Sequence, residues 1–154
     1  MRGAIVPPLL LAGSLIATAA CRRENPPPIV IVSPEQPAAR SAADAVNRFH
    51  ADLSRRQFAV VCNASESNAF LGTSSLPCPL FLAYVHDHLG DVLEAKRTQL
   101  PITEDRRAGE QVRVGLDYAT RYQRGEAREH FEWRVDGLET TLISYRVESD
   151  LLSR

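Results

Sequence analysis

An α+β fold class follows from three features of this 154-residue chain. Helical periodicity occupies the first half of the body, and strict period-two alternation occupies the second. Between two alternating runs lies Asp136-Gly137, a dipeptide suited to the positive φ angles of a type I′ hairpin. Helices first and an antiparallel meander afterwards predict N-terminal helices packed on a curved antiparallel sheet of about four strands.

Taken in order, the first helix is read from Ala42 to Val60, where Ala42, Ala45, Val46, Phe49, Leu53 and Val60 form one apolar stripe. Ser41 or Ser33 could cap it. A second, short helix is read over Ala59–Ala69, and the Gly, Pro and Ser content of Leu71–Pro79 marks a loop. A third helix is read from Leu80 to Lys96, with Phe81, Val85, Leu89, Val92 and Leu93 on one side. A strand at about Gln99–Arg107 precedes Val112, Val114, Leu116, Tyr118, Thr120 and Tyr122, which alternate with polar residues as a half-buried strand should.

The turns set a register. A two-residue turn at Arg124-Gly125 pairs Tyr118 with Phe131, Leu116 with Trp133 and Val114 with Val135, so that apolar side chains share one face. A turn at Asp136-Gly137 pairs Trp133 with Thr140 and Phe131 with Leu142, and sets Arg134 beside Glu139. This register also places Asp117 opposite Glu132, an unfavourable contact unless Arg128 or Arg134 relieves it diagonally.

The first twenty residues concern the compartment. Met1-Arg2 precedes an apolar run from Ala4 to Ala20, interrupted by Pro7-Pro8 and closed by Arg22-Arg23. That run is short and broken for a transmembrane helix, which needs about 20 apolar residues. It reads as a signal peptide over residues 1–20, with Thr18-Ala19-Ala20 offering small side chains to a peptidase. Cys21 then stands where a lipoprotein signal places its acylated cysteine. The segment resembles that signal at Ala19 and Ala20 and departs from it at Thr18, where Leu is usual; ordinary cleavage leaving a free thiol is the alternative. Residues 21–37 form a Pro-rich tether, with five prolines among positions 22–37, a semi-rigid spacer of on the order of 50 Å. Within it Ile29–Val32 could add an edge strand. The domain proper is residues 38–154.

Cysteine usage agrees with export. With Cys21 assigned to lipid, Cys62 and Cys78 remain, an even pair expected to oxidise outside the cytoplasm. A loop of about 15 residues closed this way adds roughly 3 kcal/mol; two separate buried thiols are the alternative. No Cys or His pair has zinc spacing, and no motif asks for a cofactor. Net charge is −1 overall and −2 once Arg2 is removed with the leader (17 basic, 19 acidic), which supplies no basic face for nucleic acid.

The helix–meander order resembles the cystatin-like roll of the nuclear-transport-factor-two-like superfamily, whose curved sheet wraps a long helix into a cone. Residues 80–152 are similar to small bacterial exported proteins of unknown function. The similarity lies in Leu89-Gly90-Asp91-Val92 with Lys96-Arg97, in Val114–Tyr118, in Gly125–Arg134 and in Tyr145–Leu151. The resemblance implies a fold and not an activity.

Among chemistry-bearing residues, Glu129 is the most informative. The register puts it on the apolar face with Phe131 and Trp133, between Thr120 and Ser144, so these five residues line the expected pocket. Glu129 could be a general acid or base or a ligand anchor, its pKa raised by desolvation. It could equally be a carboxylate satisfied by Thr120 and Ser144, or paired with Arg48, Lys96 or Arg97. His86-Asp87-His88 is not a ligand set, because positions i and i+2 of a helix do not face each other; it reads as a solvated face. His130 falls on the exposed sheet face beside Glu132, and His50 is a lone histidine on the first helix. Tyr118, Tyr122, Phe131, Trp133 and Tyr145 form an aromatic set, with Tyr145 expected on the outer face near Arg128. No nucleophile elbow or phosphate loop occurs, and Asn63-Ala64-Ser65, a glycosylation sequon, is not expected to be used in a bacterial lipoprotein.

The functional expectation is an envelope lipoprotein whose domain is a non-catalytic binding or interaction module for an envelope protein or small ligand. The alternative is an isomerase- or dehydratase-type enzyme of that superfamily, with Glu129 as base in a cone-shaped pocket. Arg22 after Cys21, in place of the Asp that marks inner-membrane retention, directs the anchor to the periplasmic face of an outer membrane; a soluble periplasmic or secreted form is the alternative. A homodimer through the exposed sheet face is a further possibility.

Overall fold

A computed structural model describes residues 30–31, 37–70, 73–105 and 111–153. The leader, Cys21, Ser33 and most of the tether lie outside these residues. Helices pack against one antiparallel sheet, so the α+β class holds.

Helix α1 runs Pro37–Ser54. It opens on a proline, which the first turn tolerates because its N–H would be unpaired there anyway. Ala39, Ala42, Ala45, Val46, Phe49, His50 and Leu53 are its buried residues, the spacing of a helix with one face on a core. It stops short of the expected Val60, because Arg56 turns the backbone left-handed at φ 57. Val60 instead belongs to α2 (Phe58–Asn63) and is half exposed.

Helix α3 covers Cys78–Leu89, and the expected continuation to Lys96 does not occur. Gly90 ends it at φ 81, ψ −161, a backbone region essentially restricted to glycine. Its N–H caps His86 O at 2.7 Å. Residues Val92–Arg97 leave as a strand, because a helical register that could bury both Val92 and Leu93 is cut at Gly90. Gly90→Ala is expected to cost about 1–3 kcal/mol, since the added methyl would also meet the Gln123 side chain at 2.8 Å. Urea unfolding checks this; an unchanged midpoint refutes it.

The strands are β1 (Val30–Ile31), β2 (Val92–Arg97), β3 (Ile102–Asp105), β4 (Gln111–Tyr122), β5 (Glu126–Asp136) and β6 (Glu139–Glu148). Their order is β1-β3-β4-β5-β6, with β2 on the same edge of β4 as β3. The sheet has six strands where about four were expected. Val30–Ile31 pairs with Ile102 and Thr103, so part of the tether adds an edge strand despite the flanking prolines.

Both hairpins differ from the expected register. Tyr122 N bonds Gly125 O at 2.8 Å, so the turn is Gln123-Arg124, and Tyr118, Leu116 and Val114 oppose Glu129, Phe131 and Trp133. The slip is two positions, which keeps every side chain on its expected face. It also removes the charge conflict: Asp117 now opposes His130, and Gly115 opposes Glu132. At the second hairpin Asp136 opposes Glu139, so the turn is Gly137-Leu138 and Trp133 opposes Leu142. Arg134 accordingly opposes Thr141, not Glu139, and donates to Glu66.

A β-bulge follows. Trp133 opposes Leu142 but Glu132 opposes Ser144, leaving Ile143 as the extra residue. A bulge shifts the alternation of the strand by one residue. Beyond it Tyr145 and Val147 turn inward and are buried, while Ser144 opposes the outward Glu132.

The outer edge of β6 is covered by the segment after α2. Leu142 N donates to Ala64 O (3.3 Å), Glu66 N to Leu142 O (2.8 Å) and Tyr145 N to Ala69 O (2.8 Å). Thr73 Oγ1 donates to Tyr145 O at 2.7 Å. A Cys62–Cys78 disulfide, with Cα atoms 6.0 Å apart, closes this segment at both ends. The pair expected from cysteine arithmetic is thus formed, and it fastens the cover over a sheet edge that would otherwise present unpaired backbone.

Candidate functional site

Glu129 sits mid-strand in β5, facing α1 across the core, and is 2% exposed. Four side chains from three elements meet its carboxylate. His50 Nε2, from α1, donates to Oε2 at 2.8 Å, and Thr120 Oγ1, from β4, donates to the same oxygen. Tyr122 OH, also from β4, donates to Oε1 at 2.7 Å, and Tyr145 OH, from β6, at 2.6 Å. Each oxygen therefore accepts two hydrogen bonds, about the capacity of a carboxylate.

The electrostatics follow from this cage. Burial pushes the Glu129 carboxyl up, but the adjacent His50 ring and the Thr120 and Tyr145 hydroxyls outweigh it and leave the net shift downward. The expected upward shift is thus reversed, because donors to the charged form offset desolvation. Burial, and then the Glu129 charge, push the Tyr122 and Tyr145 phenols well above their ordinary range, so both remain O–H donors.

Of the residues expected around Glu129, Thr120 is a partner, and Phe131 and Trp133 share its face. Ser144 is not a partner, since the bulge turns it outward. The expected cations are elsewhere: Lys96 pairs with Glu94 at 3.0 Å, and Arg48 donates to Thr140 Oγ1 at 3.2 Å. His50, Tyr122 and Tyr145 were missed as partners, although Tyr122 was placed on the same alternating face. His50 had a signal, lying four residues after Val46 and three before Leu53 on the buried stripe. Tyr145 had none, because its facing depends on the bulge.

The Glu129 side chain has no exposed surface. Phe49 fills the space beside it, with ring centroids 5.1 Å from Phe131 and 4.8 Å from Tyr145; Leu53 and Val85 are buried in the same cluster. The carboxylate and its four donors thus lie within the buried core.

The remaining histidines disperse. His86, expected on a solvated face, is 7% exposed; its Nε2 meets Asp91 Oδ1 at 2.9 Å, and its Nδ1 has no hydrogen-bond partner but lies 3.8 Å from Asp87 Oδ1. His88 Nδ1 turns back to Tyr84 O at 2.8 Å. His130 Nδ1 meets Asp117 Oδ1 at 2.7 Å on the outer face. Among the described residues no cluster of three His, Cys, Asp or Glu could hold a metal.

Three hollows stand out among the described residues, and one of them is lined in part by Glu129, although its side chain has no exposed surface. Two, about 700 and 490 Å³, lie on the sheet around Ala119 among charged side chains; Thr120 lines the first, and Tyr118 and Glu129 line the second. A third, about 220 Å³, opens between α1, α2 and the β5–β6 hairpin. Its walls include Ala45, Phe49, Val61, Trp133 and Leu142, and its mouth carries Arg48, Asp52 and Thr140. Trp133 is thus brought to a cleft, though a different one from the pocket expected around Glu129; its Nε1 is buried without a partner. No helix among the described residues is long and apolar enough to cross a membrane. No protein-family model matches the chain, and no curated protein matches it.

Proposed function

We propose that this protein is an envelope lipoprotein whose single domain is a non-catalytic binding module, held from the membrane by an acylated Cys21 and the Pro-rich tether. The observation that carries the non-catalytic reading is the burial of Glu129, the one buried acid among the described residues, with four donors on its carboxylate. A general base must come within hydrogen-bond reach of the proton it takes, and no substrate atom has access there. The cleft over Trp133 is a mainly apolar concavity, among the described residues, that suits a small ligand. We read the sheet and α1 as the cone-shaped roll of the nuclear-transport-factor-two-like superfamily, and the periplasmic face of an outer membrane as the site of the anchor. The Cys62–Cys78 bond supports an oxidising compartment.

Intact-mass measurement of the mature protein tests the anchor. The expected species begins at Cys21 and carries several acyl chains, since one chain alone anchors only marginally. A species beginning at Cys21 without lipid, or one retaining residues 1–20, refutes it. Glu129→Gln is expected to leave ligand occupancy of the Trp133 cleft unchanged while lowering stability; turnover of any substrate abolished by that change alone would restore the catalytic reading.

A further inference from the structure

The mouth of the Trp133 cleft carries two opposite charges that do not pair with each other. Arg48 and Asp52 lie one turn apart on α1, at i and i+4, a spacing that brings side chains within reach. Neither forms an ion pair among the described residues. The Arg48 guanidinium instead donates to the hydroxyl of Thr140, which also lines the cleft, at 3.2 Å, and this one bond leaves most of its N–H donors for other partners. Below lie mostly apolar walls, from Ala45, Phe49, Val61, Trp133 and Leu142, with Ser65, whose hydroxyl donates to Val61 O at 2.7 Å, around a hollow of about 220 Å³. At roughly 30 Å³ per water that is the space of about seven waters. Val60, an apolar side chain 52% exposed, stands at its lip.

The geometry points to a small zwitterion with an apolar side chain, a free α-amino acid of the leucine or phenylalanine kind, as the ligand of this cleft. This rests on reading the domain as a small-ligand binding module. The Arg48 fork matches a carboxylate, Asp52 matches an ammonium group, and the apolar side chain covers Trp133 and Leu142. The opposed charges select against the simpler ligands. A fatty acid would bring its carboxylate beside Asp52 and its chain would exceed the cavity, and a simple amine would leave Arg48 without a counter-ion.

Trp133 is the only tryptophan of the chain, so its fluorescence reports occupancy directly. The full-length mature protein is titrated with L-leucine, with 3-methylbutylamine (no carboxylate) and with 4-methylpentanoate (no ammonium). Leucine is expected to give a saturable change, and each analogue to bind at least ten-fold more weakly. Arg48→Gln should erase the preference for leucine over the amine, and Asp52→Asn its preference over the acid. Both residues lie on the helix surface, and circular dichroism checks that the fold is kept. Equal binding of all three, untouched by either substitution, overturns the zwitterion assignment while leaving the cleft as a binding site. Absence of a saturable response to any of the three overturns both.

Discussion

Glu129→Ala is expected to destabilise the domain by about 3–5 kcal/mol, the range for removing one partner of a buried charged pair. The loss has two parts. A cavity opens in the core, and His50, Thr120, Tyr122 and Tyr145 are left as buried donors facing no acceptor. Chemical denaturation at neutral pH measures it, and a loss below about 1 kcal/mol would refute the cage as a stabilising unit. Glu129→Gln is expected to be milder, because its carbonyl oxygen still accepts while its amide meets donors that it cannot satisfy.

The same carboxylate sets an acid limb. Its folded pKa lies below the ordinary value of 4.5, so in that window the folded state binds fewer protons than the unfolded chain. Stability therefore rises with pH there. The contribution is complete above 4.5 and is lost as pH falls through the folded value. In Glu129→Gln this limb should flatten, leaving only the response of the other carboxylates. An acid profile identical to that of the parent protein would show that Glu129 does not govern it.

Cys62→Ser with Cys78→Ser is expected to cost roughly 3 kcal/mol through the freed loop alone. The loss should be concentrated at one edge. The disulfide closes the ends of the segment that covers β6, and Leu142 N and Tyr145 N donate to Ala64 O and Ala69 O of that segment. Without the bond the cover can lift while the β4–β5 ladder persists. Amide exchange at Leu142 and Tyr145 should therefore accelerate far more than at central β4–β5 positions such as Leu116 or Phe131. The uncovered edge also makes the double variant prone to association. Uniform acceleration throughout the sheet would mean that the bond supports the whole domain and not this edge.

Much of the fold is legible in local pattern, because local pattern is what sets periodicity. The stripe from Ala42 to Leu53 announces α1, and alternation from Val112 to Tyr122 announces β4. Glu129's place on the apolar face survived a two-residue slip of register, since faces repeat every two residues. Failures occurred where one backbone position decides. Gly90 turned the expected end of α3 into β2, and Ile143 entered a bulge that exchanged Ser144 for Tyr145 on the inner face. His50 lay in plain sight on the helical stripe, but its partner stands 79 positions away.

By itself, then, the sequence determined the α+β class, the helices-then-meander order of the body, the sheet face on which Glu129 lies and the even cysteine pair. These depend on spacing, composition and counting, which chain order preserves. Only the tertiary structure decided that Glu129 is enclosed and its charge held, that the disulfide guards a sheet edge, and that Arg48 and Asp52 flank a cleft over Trp133. Each depends on side chains from distant segments meeting in space, and their meeting is governed by packing, turn position and one bulge rather than by any local period.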